Sequence, residues 1–169
     1  FLMQRIKVSV LFIFISSFLL GQGTRAGLEQ GKATAAVLDF EGSGITTQEA
    51  QVLTQRLGSE LVQTKALIMV ERNQMSEIMD EQGFQQSGCT TAECAAEIGA
   101  LLGVQKMITG SFGKLGNTYT IEARMFAVES GQTEKTVSKT YKGEVDGLLP
   151  QIQIVAWELV GLEPPADLL

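Results

Sequence analysis

Tyr119, Ile121, Ala123, Met125 and Ala127 alternate with Thr118, Thr120, Glu122 and Arg124. Alternation with a period of two belongs to a strand that buries one face and wets the other, the pattern of an antiparallel sheet. A helix would scatter the same apolar side chains around its axis. Gly116-Asn117 turns the chain into this strand and Glu129-Ser130-Gly131 turns it out, so partner strands are expected on both sides, over 104–112 and 133–141. The last of these is polar and carries lysines, as suits a sheet edge.

Upstream the period changes. The run ATAAVLDF at 33–40 reads as a buried strand, ended by the turn formers Glu41-Gly42-Ser43-Gly44. Thr46 and Glu49 have the spacing of a capping box, and Ala50, Leu53, Leu57 and Leu61 recur at helical spacing, predicting a helix over 47–63. Lys65-Ala66 turns into a second strand over 67–71. Asn73 can cap a short helix bearing Met75, Ile78 and Met79 that stops near Gly83. Thr90 and Glu93 repeat the capping-box spacing before a helix whose Ala95, Ile98, Leu101 and Leu102 face the core, with Gly103 suited to end it. A last helix has Pro150 in its first turn and Leu148, Ile152, Val155 and Leu159 on one face, with Trp157 as a core or interface anchor. The order β-α-β-α-α-β-β-β-α is an α/β (α+β) fold, a mixed sheet of about five strands with helices packed on it.

Arg5 and Lys7 precede an apolar run from Val8 to Leu20. At about 13 residues it is shorter than a bilayer span, and with the small residues of Thr24-Arg25-Ala26 it reads as a secretory signal peptide. We expect a signal over 1–26, cleaved after Ala26 or nearer Gly21 or Gly23, one domain over 27–162 and a flexible tail over 163–169. Met3 is the expected start. No cysteine follows the apolar run, so no direct lipid anchor is expected. Removing Arg5, Lys7 and Arg25 leaves ten of the 13 basic residues against 19 acidic ones, a net charge of about −9. Such a surface repels phosphate backbones and argues against a nucleic-acid partner.

The two cysteines are Cys89 and Cys94, an even pair that in an exported protein reads as a disulfide. With Thr90 as N-cap they occupy N′ and N4, positions that touch in a hydrophobic staple, so the bond would fix the entry to the third helix. The loop is small, and its closure contributes only about 2 kcal/mol. Two cysteines without histidine do not complete a structural zinc site.

The chain has no histidine. That removes Ser-His-Asp and Cys-His nucleophilic sites and the H-E-x-x-H zinc motif. Ser111-Phe112-Gly113-Lys114 matches S-x-x-K, but lies where a strand runs into a hairpin, with no S-D-N or K-T-G after it. Asp39 and Glu41 flank Phe40 at the end of the first strand, on one side by alternation. They form a candidate loop site for a cation or an acid–base pair, weighed against two solvated loop acids. Gly42-Ser43-Gly44 lacks the phosphate-loop lysine. Glu71-Arg72 reads as a structural ion pair or cap. Lys135, Val137, Lys139 and Tyr141, with Lys142 beyond, form a candidate partner edge; the plainer reading of the lysines is edge protection. No catalytic residue, metal site or cofactor is assigned.

Several segments in shared order carry a family resemblance: Ala36-Val37-Leu38-Asp39-Phe40; Val70-Glu71-Arg72-Asn73-Gln74-Met75 leading into Ile78-Met79; Leu102-Gly103-Val104 before Ile108-Thr109-Gly110-Ser111; and Tyr119 to Arg124 with Val128-Glu129-Ser130-Gly131-Gln132. Over residues 33–142 the chain resembles the CsgG-type curli-secretion family, and the related domains of outer-membrane activators of penicillin-binding proteins and of the TolB N-terminus. The resemblance implies a periplasmic, non-enzymatic α/β domain that binds proteins or assembles into rings, and it carries over no catalytic residue. The chain departs from that family in lacking the lipid-bearing cysteine and in its short turn at Gly113–Asn117, where curli channels insert long hairpins. The expected role is an exported envelope protein, in the periplasm, at the periplasmic face of the outer membrane or outside the cell, that binds a protein partner or itself. A structural subunit of a ring or fibre, and a cell-wall hydrolase or acyl-transfer enzyme using Asp39, Glu41 or Ser111, are the alternatives.

Overall fold

The computed structural model describes residues 31–83 and 91–168; the expected signal, Cys89 and Thr90 lie outside them. Strand β1 (Thr34–Val37) runs parallel to β3 (Ile68–Met69) on one side and β4 (Lys106–Leu115) on the other. The two-residue turn Gly116-Asn117 returns β4 into β5 (Thr118–Ala127), and β6 (Thr133–Lys142) completes an antiparallel meander. The order across the sheet is β3-β1-β4-β5-β6.

Helices cover both faces. Helix α1 (Thr47–Thr64) and α4 (Leu148–Leu159) lay Leu53, Leu57, Leu61, Ile152, Val155 and Leu159 over Ile108, Phe112, Ile121 and Val137. Helix α2 (Arg72–Glu81) and α3 (Ala92–Leu102) set Met75, Met79, Ala95 and Ile98 against Ala36, Leu38, Met107 and Phe126 on the opposite face. One strand serves both cores because alternate residues point to opposite sides. In β5 the odd-numbered Ile121 and Ala123 fill the first core and the even-numbered Phe126 the second. The register with β6 shifts beside Met125 and Phe126, where Glu134 of β6 is passed over. Toward β6 the second face carries polar residues, with Thr120, Glu122, Thr136, Ser138 and Thr140 exposed.

Four local expectations are corrected. The expected single strand over 33–40 stops at Val37, and Glu41–Ser43, expected as a turn, is a short strand β2 parallel to β4. Between them the Phe40 ring packs at Gly110 and tilts against Phe112 at 5.1 Å between centroids. Its N–H leaves the ladder and donates to the Thr54 hydroxyl at 3.2 Å, which donates in turn to the Ala50 carbonyl at 2.8 Å. The second strand shrinks to Ile68–Met69. Helix α2 begins two residues earlier than an Asn73 cap allows, with Glu71 as N-cap and no side-chain cap. Helix α3 is capped by Thr91, whose hydroxyl accepts from the Cys94 N–H at 3.3 Å, rather than by Thr90. The shift lets Ala92, in place of a β-branched threonine, open the helix. It makes Cys94 N3, so the staple positions expected for the cysteines do not apply. Of the four residues expected to face the core from α3, Ala95 and Ile98 are buried and Leu102 packs at the margin, while Leu101 lies outside both core clusters. Residues Ala166–Leu168 of the expected tail form a 3-10 turn.

The Thr46–Glu49 capping box forms as the spacing requires. Glu49 N–H donates to the Thr46 hydroxyl at 3.1 Å, and the Glu49 carboxylate accepts from the Thr46 N–H at 2.7 Å and hydroxyl at 2.8 Å. Thr46→Ala is expected to lower unfolding free energy by about 1 kcal/mol, measured by urea denaturation. The Thr46 hydrogen bonds lower the Glu49 pKa below its ordinary 4.5. A depressed folded-state pKa stabilises above the unfolded value and is lost as pH falls through the folded value. The stability difference between the native chain and Glu49→Gln should therefore be full at neutral pH and shrink once pH drops below that ordinary value.

Candidate functional site

Strand β6 forms one end of the sheet, with β5 along one side and no strand along the other among the described residues. The side chains expected to form a partner edge are distributed differently from that expectation. Val137 is buried in the first core, and Tyr141 packs at its margin. The Tyr141 hydroxyl occupies the space that side chains at Gly143 and Gly147 would need, so with this ring placement the β6–α4 connection packs closely on Tyr141 through two glycines. Lys139 reaches α4 and pairs with Glu158 at 2.7 Å. Lys135 and Lys142 remain exposed. Alternation explains this: residues 137, 139 and 141 face α4, and the even-numbered residues face the uncovered side. What β6 leaves open is its outer main-chain edge and the exposed row Thr136, Ser138 and Thr140.

Asp39 and Glu41 border one cleft of about 260 Å³ with Gly42, Thr47 and Gln51. Asp39 is ion-paired with Arg72, which sits in the first turn of α2. The ion pair therefore joins Arg72 to Asp39 across 33 residues, and Glu71, read with Arg72 as an ion pair or cap, stands at the α2 N-cap position without a side-chain cap bond. Glu41 is exposed on β2. Arg72 also lines a neighbouring groove of about 400 Å³ between α1 and the β3 side, walled by Gln55, Ser59, Gln63 and Met69.

Ser111 and Lys114 both lie in β4. Three residues apart on a strand, they project to opposite faces, whereas the acylating S-x-x-K geometry needs one helical turn that brings them together. Lys114 instead stands over the Tyr119 ring at 5.0 Å, and hydrogen bonding to Tyr119 raises its pKa. Among the described residues no acidic or sulfur-bearing cluster has metal-binding geometry, and no helix is long and apolar enough to cross a membrane.

A third concavity was not foreseen from the sequence. The first turns of α1 and α4 border a groove of about 340 Å³ lined by Val52, Leu53, Val145 and Leu149, with Thr46, Gln48, Glu49 and Asp146 at its rim. Its signal was present: Val52 falls off the Ala50–Leu53–Leu57 stripe, and Leu149 falls off the Leu148–Ile152–Val155 stripe. Both are apolar where the helical period asks for polar residues.

Comparison with known proteins gives a match to the family model of the curli production assembly/transport component CsgG over residues 22–139. Among solved structures, the C-terminal domain of LpoB from Salmonella enterica is similar at 18% identity and a TM-score of 0.54, covering 68% of this chain and 87% of that one. The LpoB C-terminal domain from Escherichia coli is similar at 16% identity and a TM-score of 0.54, covering 69% and 87%. Lipoprotein GNA1162 from Neisseria meningitidis is similar at 12% identity and a TM-score of 0.57, covering 71% and 90%. At these identities the likeness is one of fold. No curated protein matches the chain.

Proposed function

Since the chain belongs to the family of the curli production assembly/transport component CsgG, we propose that it is exported and works in the cell envelope as a binding and assembly module without a catalytic step, docking a partner strand along β6. The observation that carries this reading is the edge itself. Strand β6 is ten residues long and runs beside β5 along its length. Its register with β5 shifts between Thr133 and Lys135 and is regular from Lys135 to Lys142. A regular edge of that extent is a template for strand addition, with main-chain hydrogen bonds giving affinity and alternate side chains giving selectivity. Lysine on an edge ordinarily discourages pairing; Lys139 in the middle of β6 is drawn away to Glu158, which confines the exposed lysines to Lys135 and Lys142 on either side. The geometry also discriminates between modes of self-assembly. Head-to-tail extension of the sheet would join β6 to β3, which offers two residues. Pairing of β6 with β6 of a second copy, or with a strand of another protein, matches the longer edge.

A photo-crosslinking residue placed at exposed Ser138 should capture a discrete envelope protein or a second copy of this chain, while the same residue at Gln63 on the exposed side of α1 should not. Equal capture from both positions, or none from Ser138, would reject the edge. Against the hydrolase alternative, the separation of Ser111 from Lys114 and the Asp39–Arg72 pair support an expectation that purified protein leaves peptidoglycan fragments and reactive acyl substrates unchanged.

The Cys89–Cys94 bond belongs to the same reading. The exported protein should have an intact mass about 2 Da below the dithiol form, and Cys94→Ser should lower stability by about 2 kcal/mol. Two titratable thiols in the exported protein would remove it.

A further inference from the structure

The groove between the first turns of α1 and α4 lies apart from β6 and has features of its own. Seven large apolar side chains stand exposed among the described residues, and three of them meet here: Val52 at 54% exposure, Val145 at 40% and Leu149 at 40%. Scattered apolar residues are ordinary on a protein surface, whereas a cluster in a concavity with a polar rim marks an interaction site. The rim is acidic. Glu49 and Asp146 border the groove and Glu144 adjoins Val145. Two of these acids also serve the helix termini, Glu49 in the capping box and Asp146 by accepting the Gly147 N–H at 2.9 Å. A helix N-terminus carries about half a positive charge, so each full carboxylate charge outweighs the terminus it caps. Lys114 stands over Tyr119 and also attracts Glu49 and Glu144, so it offsets part of this charge, and three carboxylates against one ammonium leave the rim net acidic.

From this combination we propose that the groove takes a basic amphipathic helical segment of a partner protein, its apolar stripe on Val52, Val145 and Leu149 and its lysines or arginines against the acidic rim. The charge decides among occupants. A second copy docking through the same patch would set acids against acids, and an anionic lipid surface would meet the same repulsion. Two helices starting side by side form a trough that suits a third helix, as in helix-in-groove recognition.

The test uses the protein purified after export and a fluorescein-labelled amphipathic Leu/Lys helical peptide, with its Leu/Glu isomer as comparison. Fluorescence anisotropy should show the Leu/Lys peptide binding, with affinity falling as salt rises, and the Leu/Glu peptide not binding. Val52→Lys and Leu149→Lys, both at exposed positions, should each weaken binding by about tenfold or more while leaving the thermal midpoint within a few degrees. Amide shift changes should centre on 46–53 and 145–149, and Ser138→Lys on β6 should bind the peptide unchanged. Equal binding of the two peptides, insensitivity to both lysine substitutions, or shift changes centred elsewhere would overturn the proposal. So would a dimer, seen by sedimentation, that Val52→Lys abolishes, because the occupant would then be a second copy.

Discussion

Gly110→Ala is expected to remove about 3 kcal/mol or more of folding free energy, a large share of the roughly 5–15 kcal/mol that holds an ordinary domain folded. Gly110 lies in the middle of β4, buried, and paired with Ala123 of β5. A Cβ there would meet the Glu122 carbonyl oxygen at 1.9 Å and Phe40 Cε2 at 2.5 Å. The first is main chain of the adjacent strand and cannot swing aside as a side chain would. Relief requires either separating β4 from β5 or lifting Phe40, and lifting Phe40 also breaks its contact with Phe112 and the bond from its N–H to Thr54. Gly116→Ala makes the control. Gly116 has a φ of 59° and open space around it, so alanine pays only the left-handed conformational penalty, about 1 kcal/mol. Urea unfolding followed by circular dichroism should separate the two variants clearly. A loss below about 1 kcal/mol for Gly110→Ala would mean that Phe40 does not close over β4 as described.

The same residues show what local pattern reveals and what it hides. The bounds of β5, the capping box of α1 and the inward stripe of α4 were all legible, because period and cap are properties of neighbouring residues. The break between β1 and β2 was not. It depends on Phe40 meeting a glycine 70 positions later, a contact that no local window contains, so Glu41-Gly42-Ser43 read as turn formers when parallel pairing with β4 makes them a strand. Likewise, Thr90 was read as the cap of α3 where the neighbouring Thr91 takes that place, and the one-residue shift changes the helical position of Cys94.

Function was legible to a different degree. The order of the family segments pointed to the CsgG family, to which the chain belongs. Residue-level sites were less accessible because they depend on which elements come together. Val137, Lys139 and Tyr141 look like an exposed edge until α4 is placed over them. Conversely, Val52 and Leu149 lie in different helices nearly 100 residues apart, and only the pairing of α1 with α4 turns two irregularities of helical patterning into one groove. Binding surfaces made by discontinuous elements are invisible to motif reading for this reason, whereas a catalytic motif on one loop is not.

Phe112→Ala is expected to cost about 4 kcal/mol, while Leu115→Ala, three residues along the same strand, should change stability by no more than about 0.5 kcal/mol. Both substitutions shorten a large apolar side chain in β4, and burial separates them: Phe112 is 2% exposed in the core shared by α1, α4 and the sheet, and Leu115 is 87% exposed beside the hairpin turn. Truncating Phe112 leaves a cavity and withdraws the aromatic contact from Phe40. The partial loss matters for the surfaces proposed above, because α1 and α4 hold both walls of the acidic groove, and α4 supplies the glutamate that draws Lys139 off the β6 edge. Phe112→Ala should therefore lower hydrogen-exchange protection in α1 and α4 before it does so in α3, which packs on the opposite core around Phe126. Equal loss of protection in α1, α4 and α3 would show that the two cores unfold as one unit and that the groove has no stability of its own to modulate.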